Sequence, residues 1–203
     1  MLRLGKAAPL LLAAALAGQE RFDPGPLTTY PAQESNSQVT VAVQPYRDRE
    51  RLRKIFGKTD FDKLGIVPLL VVIANDSDQI MRLDNLRVQL ITADGQKVDP
   101  IPADDVVRPA NVRRPDINPR PSPIPGIGRR RPSREAPEVA QREFVAPLVE
   151  SHSTAHGFFY FRLGKGPDRL AGAKIYVTGI REAKSGQDLF YFEIGLDRAV
   201  RSR

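Results

Sequence analysis

Residues 64–75 read Leu-Gly-Ile-Val-Pro-Leu-Leu-Val-Val-Ile-Ala-Asn, and this stretch decides the fold class. Apolar side chains fill both sets of alternate positions. A strand with one wet face alternates polar and apolar residues, so this run is expected to be buried on both sides at the centre of a two-layer β structure. The flanking segments then read as strands beside it or across from it.

Working back toward the N-terminus, Val39, Val41 and Val43 alternate with Thr40, Ala42 and Gln44, the pattern of a half-buried strand ended by Pro45. Leu52, Ile55 and Phe56 then fall at helical spacing among charged residues. This predicts one short amphipathic helix over residues 47–56, with Gly57 as its C-cap, covering an edge or end of the core. Pro68 removes a ladder donor, so regular pairing is expected from Leu69 onward.

Toward the C-terminus, Asn75-Asp76-Ser77-Asp78 is a turn, because short polar side chains bond their own backbone. Leu86, Val88 and Leu90 mark a strand with one wet face, Asp94-Gly95 a hairpin turn, and Lys97-Val98 a brief return strand. Order resumes over residues 144–149. Further strands are expected at 159–163 and 175–180, and in the last one Phe190, Phe192, Ile194 and Leu196 share a face.

Residues 100–137 differ in kind. They hold ten of the 18 prolines, with Pro119, Pro121, Pro123 and Pro125 at alternate positions. Such a segment buries too little apolar surface to offset its ordering entropy, so a disordered or polyproline-II-like insertion is expected over residues 100–142. Long surface insertions cost little, because closure entropy grows only logarithmically.

These signals predict an all-β, immunoglobulin-like antiparallel β-sandwich of seven to eight strands with one short helix and a long disordered Arg/Pro-rich loop, a barrel being the alternative. A single domain is expected over residues 38–197, after a flexible leader at 18–37 and before a basic tail at 198–203.

The N-terminus reads as a secretory signal over residues 1–17. Arg3 and Lys6 form a positive n-region, residues 7–17 an apolar run, and Ala15-Leu16-Ala17 an A-x-A cleavage site. That run of 11 residues falls short of the roughly 20 a spanning helix needs. An exported chain, periplasmic or extracellular, without a transmembrane segment after cleavage is therefore expected. The chain has no cysteine, which excludes thiolate sites and disulfides and leaves stability to the core.

Residues 65–69, Gly-Ile-Val-Pro-Leu, lead to Asn75-Asp76-Ser77, and Ala155-His156-Gly157-Phe158-Phe159-Tyr160-Phe161 follows later. In these blocks the chain resembles exported bacterial immunoglobulin-like domains of unknown function, where a G-I-x-P strand ends in Asn plus a small polar residue and a later strand opens on Gly and aromatics. The resemblance covers residues 38–98 and 143–197. It implies a β-sandwich and no catalytic residues, and the Arg/Pro insertion lies outside it.

Charge points to one segment. Residues 106–134 carry eight arginines and one acid, Asp116, a surplus of seven that equals the whole chain's net charge of +7. Arg108, Arg113, Arg114, Arg120, Arg129, Arg130, Arg131 and Arg134 are the candidate contacts to a partner. Arginine forks pair bidentately with phosphate and carboxylate, and outside the cytoplasm the fitting partners are an envelope protein or an anionic surface polymer or lipid. The segment lacks aromatic residues for base stacking, so nucleic acid is not expected. A solvated linker is the competing reading.

Catalytic and metal signals are weak. His152 and His156 are the two histidines; their spacing lacks the glutamate of a HExxH motif, so solvated turn histidines are expected. Ser151, Ser153 and Ser185 lack a G-x-S-x-G elbow. Asp60-Phe61-Asp62 and Asn75-Asp76-Ser77-Asp78 lack EF-hand spacing and read as turn chemistry. Gly126-Ile127-Gly128 lacks the flanking strand and helix of a dinucleotide site. The expectation is therefore a non-enzymatic module, with no catalytic residues, no metal and no cofactor, that binds or scaffolds an envelope component. The alternative is a polyanion or membrane-surface binder acting through the Arg/Pro-rich loop.

Overall fold

The computed structural model describes residues 22–107, 136–166 and 169–201. In chain order the elements are a 3-10 turn at Leu27–Thr29, β1 Gln33–Asn36, β2 Val39–Pro45, α1 Arg49–Phe56, α2 Phe61–Leu64, β3 Ile66–Asn75, β4 Met81–Arg82, β5 Arg87–Ile91, β6 Lys97–Val98, α3 Ala103–Val106, α4 Pro137–Arg142, β7 Leu148–Val149, β8 Ser153–Arg162, β9 Lys174–Thr178, β10 Arg181–Glu182, β11 Phe192–Gly195 and α5 Asp197–Arg201.

All ten residues of β3 are buried, and the reason is a different partner on each face. In its own plane β3 pairs antiparallel with β2 and with β8, in a sheet ordered β1-β2-β3-β8. Val67, Leu69, Val71 and Ile73 point one way, into a core shared with Val88 and Leu90 of β5, Ile175 and Val177 of β9, and Phe192 and Ile194 of β11. Those three strands belong to a second four-stranded sheet, β11-β9-β5-β6. Ile66, Leu70 and Val72 point the other way. With Phe158 and Tyr160 of β8 they meet Leu52 and Phe56 of α1, Phe61 of α2, Val106 of α3 and Val139 of α4. A small third sheet, β10-β4-β7, adds Met81 and Val149 to the first core.

The protein is thus β-dominated, with eleven strands in three antiparallel sheets among the described residues. Four of these strands (β4, β6, β7 and β10) are two-residue pairings too short to leave a period in the sequence. The doubly apolar pattern of β3 comes from one sheet and one layer of short helices, where the sequence suggested β structure on both sides. Each fully buried Val, Leu, Ile or Phe contributes about 1.5–3 kcal/mol, so both faces matter to stability.

Pro68 sits inside β3 because its missing donor falls where β2 has already ended. Tyr46 donates its N–H to the Pro68 carbonyl at 2.9 Å, which places Pro68 on the β2 side of the strand. Pairing with β2 begins at Leu69, as expected, whereas pairing with β8 already begins at Ile66.

The helix over α1 has the predicted C-cap, Gly57, at φ 63°, a conformation that glycine adopts without a Cβ penalty. Three further α-helices of four to six residues, and α5, were not legible as helices. Residues 100–107 and 136–142, the flanks of the expected insertion, are folded: Ile101 bridges Tyr160, and Ala103, Val106, Ala136 and Val139 are buried against the first sheet. Residues 22–36 of the expected leader also carry structure, since β1 pairs with β2 and the Phe22 ring lies 5.4 Å from that of Phe158. The expected basic tail begins in α5, where Ala199 is buried. Phe190 departs from the face predicted for it: it precedes β11 and is 82% exposed, while Phe192, Ile194 and Leu196 are buried.

Candidate functional site

The open end of the first sheet, where β2 stops at Pro45, forms a cleft of about 1130 Å³. Its wall is built from distant stretches: Tyr30 and Pro31, the loop from Pro45 to Asp48, the first turn of α1, Asp62 of α2, Lys165 and Arg169 after β8, and the end of α5. Five cationic side chains (Arg47, Arg49, Arg51, Lys165 and Arg169) stand there against two carboxylates, Asp48 and Asp62.

Each polar group has a local reason for its position. Asp48 is the N-cap of α1, its Oδ1 accepting the Arg51 N–H at 2.8 Å, so its charge offsets orphan amides and the positive end of the helix. Arg169 is the anchored cation: its side chain is 14% exposed, Nε donates to the Gly166 carbonyl at 2.8 Å, and Nη1 donates to the Gly164 carbonyl. Asp62 lies between two guanidiniums, with Oδ1 at 3.4 Å from Arg169 Nη2 and Oδ2 at 3.4 Å from Arg49 Nε. Arg49 itself is 79% exposed.

Two phenols stand in the same wall. Burial, followed by the nearby Tyr46 and Asp23, pushes Tyr30 up to about 12, and its hydroxyl donates to the Pro24 carbonyl. Burial also raises Tyr46, against the opposing pull of Arg51.

The eight arginines predicted as contacts, Arg108, Arg113, Arg114, Arg120, Arg129, Arg130, Arg131 and Arg134, lie outside the described residues. The cleft's cations were missed because Arg47, Arg49 and Arg51 alternate with Asp48 and Glu50 and stand far in sequence from Lys165 and Arg169; only the fold brings the two groups together. The histidines are not brought together. His152 occupies the turn before β8 at φ 51° with its Nε2 2.9 Å from Asp78 Oδ1, whereas exposed His156 lies within β8 with its Nε2 3.2 Å from the Phe22 carbonyl. Asp60 caps α2 by accepting the Lys63 N–H at 3.1 Å.

Asn75 is a buried structural hub. Its Nδ2 donates to the carbonyls of Gln79 at 2.6 Å and Glu150 at 3.0 Å, while Oδ1 accepts from the Ser77 hydroxyl at 2.6 Å. Among the described residues, no group of three or more His, Cys, Asp or Glu is placed to hold a metal, and no helix is long and apolar enough to cross a membrane.

Neither a protein-family model nor a curated protein matches this chain. A solved structure is similar to it: the crystal structure of a functionally unknown protein from Listeria monocytogenes EGD-e, at 12% identity, covering 79% of each chain, with a TM-score of 0.35. A likeness of that degree carries no argument about fold or function.

Proposed function

We propose that this chain is an exported, non-enzymatic module with an immunoglobulin-like sandwich arrangement of its two larger sheets, which binds or scaffolds another component of the cell envelope. The sandwich arrangement is supported by the single apolar core those two sheets share. The binding role rests on one observation, the cleft at the end of the first sheet with five cations against two carboxylates. Localised surplus charge around a concavity raises the local concentration of anionic partners and steers their approach.

A second reading assigns the contact to the Arg/Pro-rich loop, and the surplus of seven positive charges over residues 106–134 favours it. Co-sedimentation of purified protein with isolated envelope fractions tests both. Binding is expected to persist, with reduced salt sensitivity, when residues 108–134 are deleted. Complete loss in that variant, with unchanged circular dichroism, assigns the contact to the loop. Absence of binding by the intact chain, or turnover of an envelope polymer by it, overturns the module reading.

A further inference from the structure

We infer that the cleft is a seat for a linear anionic polymer with carboxylate or phosphate groups repeated along it, and that Asp62 is a built-in competitor occupying one anion position between Arg49 and Arg169. This rests on the cleft being a contact surface, as proposed above.

The geometry of Asp62 carries the argument. Charge-assisted guanidinium–carboxylate bonds prefer about 2.7–2.9 Å and often pair two N–H groups with two oxygens. Here each oxygen reaches one nitrogen of a different arginine at 3.4 Å, so one carboxylate is spread across two forks and satisfies neither fully. Arg169 is locked by the Gly164 and Gly166 carbonyls, while Arg49 is largely exposed and adaptable. A fixed fork facing a movable one fits an anionic group arriving from solvent.

The remaining cations extend that seat beyond one anion. Arg51, in the first turn of α1, and exposed Lys165, four residues before Arg169, also line the cleft. About 1130 Å³ exceeds the space of a single phosphate or carboxylate and lies just above the usual range of about 300–1,000 Å³ for compact ligand pockets. Pro31, Pro45 and Tyr46 supply apolar wall between the charges, which suits the uncharged backbone of a polyuronate or polyol-phosphate chain. Multiple charges met by separate cations make binding fall steeply with salt, by counterion release.

The test uses the full chain and fluorescence anisotropy with labelled oligogalacturonate and labelled polyphosphate, across a salt series. Both probes are expected to bind, and the tighter one identifies carboxylate or phosphate as the preferred group. Asp62→Asn is expected to tighten binding at least about threefold, because it removes the competing charge. Arg49→Gln and Lys165→Gln are each expected to weaken it about tenfold and to lower the salt slope by about one. A triple Arg129→Gln, Arg130→Gln, Arg131→Gln variant is expected to retain the effects of the cleft substitutions. Cleft variants that bind like the wild type, or an Asp62→Asn variant that binds more weakly with its fold intact, overturn the inference. If the intact chain binds neither probe yet still co-sediments with envelope fractions, the inference fails while the module reading stands.

Discussion

The Gly157 backbone lies so close to Phe144 that a Cβ at position 157 would stand 2.4 Å from the Phe144 Cα. Phe144 donates its N–H to the Phe158 carbonyl at 3.1 Å, and Glu143 bridges Phe158, so residues 143–144 cover part of the outer edge of β8. Glycine is required there because a second backbone approaches, not because its own φ is positive. Gly157→Ala is expected to cost about 1–3 kcal/mol, the usual range for overpacking a tight site. Urea denaturation reads it as a lower midpoint at unchanged slope, and an unchanged midpoint contradicts the close approach.

Asn75 joins the end of β3 to the chain entering β8 through donors that no apolar residue replaces. Asn75→Ala removes the hydrogen bonds to the Gln79 and Glu150 carbonyls and from the Ser77 hydroxyl, which keeps the Gln79 carbonyl at 3.3 Å, and is expected to cost about 1–3 kcal/mol in all. Asn75→Asp is expected to be at least as damaging, since it turns a carboxylate toward two carbonyl oxygens. Paired urea melts of the two variants check this; a milder effect for Asp than for Ala would show that Nδ2 is not the anchoring donor.

How far the sequence disclosed this structure depends on whether a segment's burial is periodic. β2 and β5 were legible, because Val39, Val41 and Val43, and Val88 and Leu90, face one core at period two. β3 was legible as doubly buried, but the identity of its second cover was not: Ala103, Val106, Ala136 and Val139 come from helices too short to show a 3.6-residue repeat, and they border a proline-rich stretch. β1, with only Gln33, Glu34, Ser35 and Asn36, has no apolar pattern and is recruited by pairing with β2. The cleft was invisible for a different reason, since charge counted along the chain cancels what folding gathers from residues 47–51, 165 and 169.

Three tyrosines set an alkaline limit on stability. Burial pushes Tyr30 up to about 12, and also raises Tyr46 and, further still, Tyr160, whose hydroxyl donates to the Val139 carbonyl at 2.8 Å. An unfolded tyrosine loses its proton near pH 10. Above about pH 10 the unfolded chain therefore binds fewer protons than the folded one, so stability falls as pH rises and is fully present below that value. Denaturant midpoints are expected to be level as pH approaches about 10 and to drop beyond it, from the onset of unfolded-state ionisation through about 12 for Tyr30. Phenolate absorbance of the folded chain is expected to lag behind that of the denatured chain; coincident titration curves refute the burial of these hydroxyls.

Leu69 and Leu70 are consecutive in β3 yet belong to different cores, Leu69 to the one shared by the sheets and Leu70 to the one under the helices. Both are fully buried, so Leu69→Ala and Leu70→Ala are each expected to cost about 2–5 kcal/mol. Because one strand carries both, loss of either core removes support from the other, and both variants are expected to unfold in a single transition by far-ultraviolet circular dichroism and by tyrosine fluorescence. A helical layer that is only an attached cap predicts otherwise: Leu70→Ala would then show an early loss of helix signal at low urea, while the β signal kept the wild-type midpoint. Native-state hydrogen exchange separates the two cases, since a shared strand makes the amides of Leu69 and Leu70 open with the same free energy.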